Sequence, residues 1–269
     1  MAIQMAESLI QISSKYGHGK DKLTGRIVKI ENFTGRFDIY NDSNEHIGQV
    51  NIHQRPTDSK VIYFDKVSNP LYIGEVDENV GGVGTGIWLS SIVLSSWIVQ
   101  NRNVFHDKKV LELGCGVGMC GLTVLIETCA RCVKFTDCDG SLFDCLKQNI
   151  EQNSTKMRIA PSVQMFDWNQ SVKNGDVSYD TVQGGYDIIL ASDCLYHNTK
   201  DILLDAIFCN LNVNGNLFMA NPPEWNRPGF DEFIYALKQY GVVCMERCKL
   251  TMNKQYTKEI WMLIFTRLE

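Results

Sequence analysis

A chain of 269 residues with 44% hydrophobic and 21% charged side chains has the composition of a folded globular protein, with room for one large domain and an appendage. Its net charge of −5 argues against a nucleic-acid binder driven by bulk charge. The most apolar window, Ile87 to Val99, carries four serines and is too short to span a membrane, and Glu7 with its polar neighbours interrupts any secretory leader at the N-terminus.

Ten cysteines without such a leader point to reduced thiols and a cytoplasmic or nuclear location. Cys129 and Cys132 have C-x-x-C spacing. No second pair or nearby histidine completes a four-ligand set, so no metal is expected. Cys132, Cys145, Cys209 and Cys244 lie in apolar runs and read as small core residues.

Residues 1–79 read as an N-terminal β-rich extension. Short alternating runs at 26–30, 36–40, 47–52 and 61–64, separated by polar turns such as Asn41-Asp42-Ser43-Asn44, predict a small meander packed against the main domain over 80–269. Thr85 to Asn101 reads as a helix. Strands are then predicted near 110–113, 132–136, 162–166, 187–191, 215–220, 242–248 and 259–266. Helices are predicted near 118–130, 141–153, 198–211 and 229–240, and this alternation implies a parallel α/β sheet. Ser141 with Asp144 reads as a capping box for the second of these helices, whose Leu142, Leu146 and Ile150 share a face. The polar stretch Asn169 to Gly185 reads as a surface loop, and the last two strands as an antiparallel hairpin.

The first predicted strand of the main domain ends in Glu112-Leu113-Gly114-Cys115-Gly116-Val117-Gly118. Glycines at alternate positions permit positive φ and let a ligand lie against the backbone. The next strand ends at Asp137, about 20 residues on, where an acid can hydrogen-bond a ribose. An adenosine-containing cofactor is implied. Gly116, Gly118 and Gly121 satisfy G-x-G-x-x-G, but that fingerprint expects its first glycine directly after the strand. There stands Gly114, from which the third position falls on Met119. The run is better described as resembling motif I of class I S-adenosylmethionine-dependent methyltransferases.

Further along, Asp193-Cys194-Leu195-Tyr196 follows the fourth strand. Gly86-Ile87-Trp88 with Leu94, Thr136-Asp137, and Phe166-Asp167-Trp168 stand in order around it. Together these motifs, over residues 80 to about 265, resemble the family 16 (methyltransferase-like) protein lysine methyltransferases. The resemblance implies a Rossmann-like, seven-stranded, mostly parallel sheet with helices on both faces and an antiparallel C-terminal hairpin. It also implies an S-adenosyl-L-methionine site. Trp88 and Gly114-Cys115-Gly116 would line the methionine part, Asp137 would bind the ribose, Trp168 would flank the adenine, and Ser192 would touch the cofactor beside the reaction centre. Glu112 would order the glycine loop or reach the methionine ammonium; a buried strand-end carboxylate accepting backbone N–H groups is the equal alternative. Trp88 and Trp168 could instead be core residues, and Asp139 competes with Asp137 for the ribose.

The implied reaction is methyl transfer to a lysine of a protein substrate, with Asp193 binding the ammonium and Tyr196 directing the nitrogen. His197 is a candidate base. Alternatives are a histidine or small-molecule N-methyltransferase, a non-catalytic cofactor-binding interaction module, and a nicotinamide oxidoreductase, which fits the fingerprint poorly. Asn221-Pro222-Pro223 matches the start of a motif of enzymes that methylate planar nitrogens, but it follows the fifth strand and has Glu224 in the aromatic's place. Asn221 to Pro228 therefore reads as a rigid loop. A monomer is expected, with neither membrane nor nucleic acid as partner.

Overall fold

The structure is a computed structural model that describes residues 18–20, 27–29, 34–57, 59–76, 82–168, 185–196, 199–223, 229–254 and 256–268. The predicted surface loop over 169–184, His197, and residues 224–228 of the predicted rigid loop lie outside the described residues. Strands β1 (His18–Lys20) and β2 (Ile27–Lys29) pair with each other and, among the described residues, with no other strand. Strands β3 (Gly35–Tyr40), β4 (His46–Gln54), β5 (Ser59–Phe64) and β6 (Leu71–Gly74) form an antiparallel meander. Helix α1 (Leu89–Gln100) leads into β7 (Lys109–Leu113), α2 (Met119–Glu127), β8 (Cys132–Asp137), α3 (Phe143–Asn153) and β9 (Ser162–Met165). The chain continues through β10 (Tyr186–Ser192), α4 (Lys200–Asn210), β11 (Leu211–Asn221), α5 (Phe230–Lys238), β12 (Gly241–Met252) and β13 (Tyr256–Arg267).

One sheet holds eleven of these strands, in the order β6-β5-β4-β3-β12-β13-β11-β10-β7-β8-β9. The expectation of seven mostly parallel strands is corrected here. Only β11-β10-β7-β8-β9 are parallel neighbours, and the other adjacent pairs are antiparallel. The reason lies in β12. It runs to Met252, past the predicted end, and its last third, from Lys249 to Met252, takes Tyr40 to Phe37 of β3 as partner. An unpaired β12 would leave a long open edge, a template for aggregation; the meander covers it.

The extended sheet curls over its own helices. α1 touches β4 on one side and β10, β11 and β13 on another. A single apolar cluster joins Phe37, Val50 and Ile62 of the meander to Ile92 and Ile98 of α1 and Val110 of β7. A helix buried all round carries no amphipathic stripe. Its four serines, Ser90, Ser91, Ser95 and Ser96, are all buried and keep it slim enough for strands to approach. At Gly48 of β4 an added Cβ would lie 2.6 Å from Ser96 Oγ. On the opposite face, Leu203 and Ile207 of α4 and Phe233 and Leu237 of α5 pack against β10, β11 and β13. No described helix is long and apolar enough to cross a membrane.

The outer edge of β6 is paired by side chains. Asn153 accepts from Tyr72 N–H at 3.0 Å and donates to its carbonyl at 2.7 Å. Asn149 does the same for Gly74, at 2.6 and 3.1 Å. The match is geometric: four residues of helix rise about 6.0 Å and two of strand about 6.6 Å. Two amides one turn apart on α3 thus imitate a neighbouring strand. Asn149 Nδ2 also reaches the Val117 carbonyl at 3.0 Å, tying β6 to the glycine loop.

Two local expectations are corrected. The cap before α3 is Asp139, which accepts from Ser141 N–H at 2.9 Å and starts a 3-10 turn over Gly140–Leu142; α3 itself begins without a side-chain cap. Cys209 and Cys244 are exposed and Cys132 and Cys145 half-buried, whereas Cys115, Cys120, Cys194 and Cys248 are buried. An apolar run does not say which of its positions faces outward.

Asn149→Ala removes the partners of the Gly74 N–H and the Val117 carbonyl, and a buried unsatisfied group costs about 1–3 kcal/mol. Urea unfolding should show a loss of at least about that size, larger than for Asn153→Ala, which leaves the Val117 bond in place.

Candidate active site

The five parallel strands bring their C-terminal ends to one rim. From β7 the chain steps outward through β8 to β9, and from β10 it steps the other way to β11. A crevice opens where the direction reverses. A cavity of about 490 Å³ lies there, in the range of roughly 300–1,000 Å³ usual for small-molecule sites. All ten residues singled out from the sequence line it.

The glycine loop forms its floor. Gly114, Gly116 and Gly118 have φ of +62°, +50° and +85°, a region costly for any residue with a Cβ. A Cβ on Gly116 would also stand 2.7 Å from the Gly84 carbonyl oxygen, and one on Gly114 would sit 3.5 Å from the Trp168 ring. Cys115 between them is buried and its N–H reaches the Thr136 carbonyl at 2.9 Å. Asp137 at the end of β8 holds the loop: Oδ2 accepts from Gly116 N–H at 2.9 Å and Oδ1 from Asp139 N–H at 3.1 Å. Burial raises its pKa, and these N–H groups pull against that shift. A carboxylate has about four lone-pair sites, so each oxygen keeps acceptor capacity for a ligand.

Glu112 sits beneath the loop. Its Oε2 accepts from Gly121 N–H at 3.0 Å, and the side chain is almost wholly buried while still lining the cavity. Burial pushes its pKa up to about 8, opposed by the Gly121 N–H and helped by the charge of Asp137.

Two buried polar atoms have no partner here. Trp168 Nε1 and Ser192 Oγ both belong to residues lining the cavity, and among the described residues neither has a partner in hydrogen-bonding geometry. Buried donors are nearly always satisfied, so a polar ligand at this place fits what the two atoms lack. Trp88 precedes α1 and lends its carbonyl to Ser91 Oγ at 2.7 Å. The meander holds the segment leading to Trp88: Glu75 Oε1 accepts from Ile87 N–H at 2.9 Å, and its other oxygen meets buried Lys60 Nζ at 2.5 Å.

The far wall is the loop after β10. Asp193 has φ of +57°, rare for a residue other than glycine. Its N–H binds the Ala220 carbonyl at 2.9 Å, and its Oδ2 lies 3.5 Å from Ser90 Oγ in the first turn of α1, where the helix dipole favours negative charge. Cys194 donates its Sγ to the Leu113 carbonyl at 3.1 Å, and burial raises that thiol far above the reactive range. Burial likewise raises the phenol of Tyr196, which stays protonated and lines the cavity.

Five carboxylates line the cavity, from Glu112, Asp137, Asp139, Asp167 and Asp193, and no Lys, Arg or His does so among the described residues. No described cluster of His, Cys, Asp or Glu is placed to hold a metal ion. Reasoning from sequence missed Glu75, Asn149 and Cys194 as supports of this site. No local pattern marks them, because each acts on a backbone group distant along the chain.

A family model described as lysine methyltransferase matches residues 66–221. Among curated proteins, the mouse (Mus musculus) protein-lysine N-methyltransferase EEF2KMT is 26% identical over 160 residues, covering 56% of this chain and 47% of the relative. The calmodulin-lysine N-methyltransferase of Arabidopsis thaliana is 32% identical over 111 residues, covering 40% of this chain and 34% of the relative. The chain thus spans less than half the length of each of these relatives. A solved structure from Streptococcus mutans, described as a candidate SAM-dependent methyltransferase, aligns with a TM-score of 0.54 at 13% identity, covering 81% of this chain and 58% of that one. That likeness shows a shared Rossmann-like fold.

The buried Glu112 makes stability depend on pH. Its folded-state pKa of about 8 lies above the unfolded value of about 4.3, so its contribution is complete below the unfolded value and is lost as pH rises through 8. The loss reaches about 1.4 kcal/mol per pH unit between the two values. Denaturant titrations across this window should slope downward for the wild-type protein and less steeply for Glu112→Gln, which keeps an acceptor for Gly121. Equal slopes would show that Glu112 does not carry the proton.

Proposed function

The chain belongs to the lysine methyltransferase family, and on that premise we propose that it transfers a methyl group from S-adenosyl-L-methionine to the ε-amine of a lysine on a protein substrate. The observation that carries the reading is the charge of the cavity: four carboxylates beside the proton-holding Glu112, and no cationic side chain among the described lining residues. A nicotinamide dinucleotide would bring a pyrophosphate into that negative field with no cationic side chain among the described lining residues to neutralise it. A cofactor with a sulfonium and an ammonium, and an acceptor arriving as an ammonium, both match it. The names of the relatives support a protein lysine as acceptor, and ten unpaired cysteines support a reducing, cytoplasmic or nuclear location.

The bound cofactor supplies a methyl group already activated by its sulfonium. The protein's own residues bind, orient and exclude water. In this reading Asp137 turns its remaining lone pairs to the ribose hydroxyls. Trp168 offers its ring face beside Gly114 and its Nε1–H to the adenine end. Ser192 completes its hydrogen bonding on the cofactor, and Trp88 with Gly114-Cys115-Gly116 encloses the amino-acid end. Asp193 holds the incoming ammonium and lines its nitrogen up for attack. Tyr196, kept protonated by burial, directs the neutral amine with its O–H and ring; a phenol in that state takes no proton, and the lysine proton leaves to solvent.

Asp193→Ala and Asp193→Asn should both bind S-adenosyl-L-methionine as the wild-type protein does, by calorimetry, while single-turnover transfer falls about 100-fold, as expected for a misplaced acceptor. Wild-type turnover should rise as pH climbs from about 7 toward 9, because the neutral-amine fraction grows about tenfold per unit below the lysine pKa. Labelled cofactor and a cell lysate, followed by mass mapping of the modified residue, identify the acceptor. Label on histidine or a small molecule, or full transfer by both Asp193 variants, would overturn the assignment.

A further inference from the structure

Asn221 closes β11 and is completely buried. Its carboxamide forms a ring with one residue of the acceptor loop: Oδ1 accepts from Leu195 N–H at 3.3 Å, and Nδ2 donates to the Leu195 carbonyl at 3.2 Å. Leu195 stands between Asp193 and Tyr196, the two residues to which the proposed reaction gives the acceptor nitrogen. We infer that Asn221 is a positioning residue that holds the Asp193–Tyr196 loop in its working geometry.

The loop needs such a hold. Asp193 stands in the left-handed region at φ +57°, a conformation that persists only where the surroundings impose it. The bond from Asp193 N–H to the Ala220 carbonyl fixes the start of the loop, and Thr199 Oγ1, which accepts from Tyr196 N–H at 3.0 Å, fixes its end. Asn221 fixes its middle. An amide alone among side chains of this size offers a donor and an acceptor side by side, as a neighbouring strand would. Pro222 explains the rest of the motif: a residue before proline is driven to extended backbone, which sets the direction of the Asn221 side chain. The amide is spent on Leu195, so the Asn-Pro-Pro run serves the loop and not a planar-nitrogen substrate.

The inference rests on the proposed lysine transfer, and its test separates the two. Asn221→Leu keeps the size and loses both bonds. With wild-type folding and cofactor affinity, its kcat should fall about 10-fold to 100-fold, and its Leu195 amide should lose hydrogen-exchange protection. Asn221→Asp lacks the donor when ionised but regains it when protonated, and burial raises its pKa. Its single-turnover rate divided by that of the wild type should therefore rise as pH falls from about 9 to 6. Asp193 and Tyr196 are common to both proteins, so the ratio removes their titration. Should the leucine variant not fold, the aspartate ratio decides. A flat ratio, or full kcat in folded Asn221→Leu, overturns the positioning role; a wild-type protein that methylates no lysine overturns the proposed function, while exchange at Leu195 still reports whether Asn221 holds the loop.

Discussion

The hydrogen bond from Gly116 N–H to Asp137 is the contact on which the rest of the site depends. It joins the end of β8 to the turn after β7 and so folds the glycine run back across the top of the sheet. The turn can accept that fold only because its glycines take positive φ, where a Cβ would clash. Once folded, it presses Gly116 against the Gly84 carbonyl, which places the segment leading to Trp88. A single carboxylate thus shapes the floor of the cavity and keeps lone pairs facing it.

Carboxylates gathered at one rim repel one another, and burial makes Glu112 and Asp137 resist ionisation. The raised pKa values of Glu112 and Asp137 express that tension. Backbone N–H groups relieve part of it, from Gly121 for Glu112 and from Gly116 and Asp139 for Asp137. Those bonds leave acceptor capacity on the carboxylates facing the cavity, which suits a ligand bearing hydrogen-bond donors or positive charge.

Much of this was legible in the sequence because the decisive features are local. A strand ending in alternate glycines, and an acid at the end of the next strand, are short-range patterns with short-range physical causes. The parallel core of the sheet followed from the alternation of strands and helices. What escaped were pairings between distant segments. β6 has four residues, too few for a periodic signal, and its outer partners are the amides of Asn149 and Asn153, far along the chain. β12 carries no mark of the edge that β3 covers, so the sheet was expected to stop at seven strands. Asn221 was visible as part of a motif, but the reason for it, the backbone of Leu195, lies on another loop. The cysteines failed for the same cause: burial is a property of a face, and a run of apolar residues supplies both faces.

The meander is more than an appendage to the cofactor pocket. Glu75 and Asn149 each place one hydrogen bond on the meander side and one on the pocket side: Lys60 and Ile87 for the first, Gly74 and Val117 for the second. A buried lysine–carboxylate pair tolerates little displacement, because losing either partner leaves an uncompensated charge. Glu75 and Asn149 therefore tie β5 and β6 to the backbone of Ile87 and Val117 at the cavity. Further along the same sheet, β3 lies on β12, β12 on β13, and β13 pairs Trp261 with Asn221, whose amide binds the Leu195 backbone. One continuous ladder thus runs from β6, beside the segment leading to Trp88, to β11, whose Asn221 holds the loop after β10.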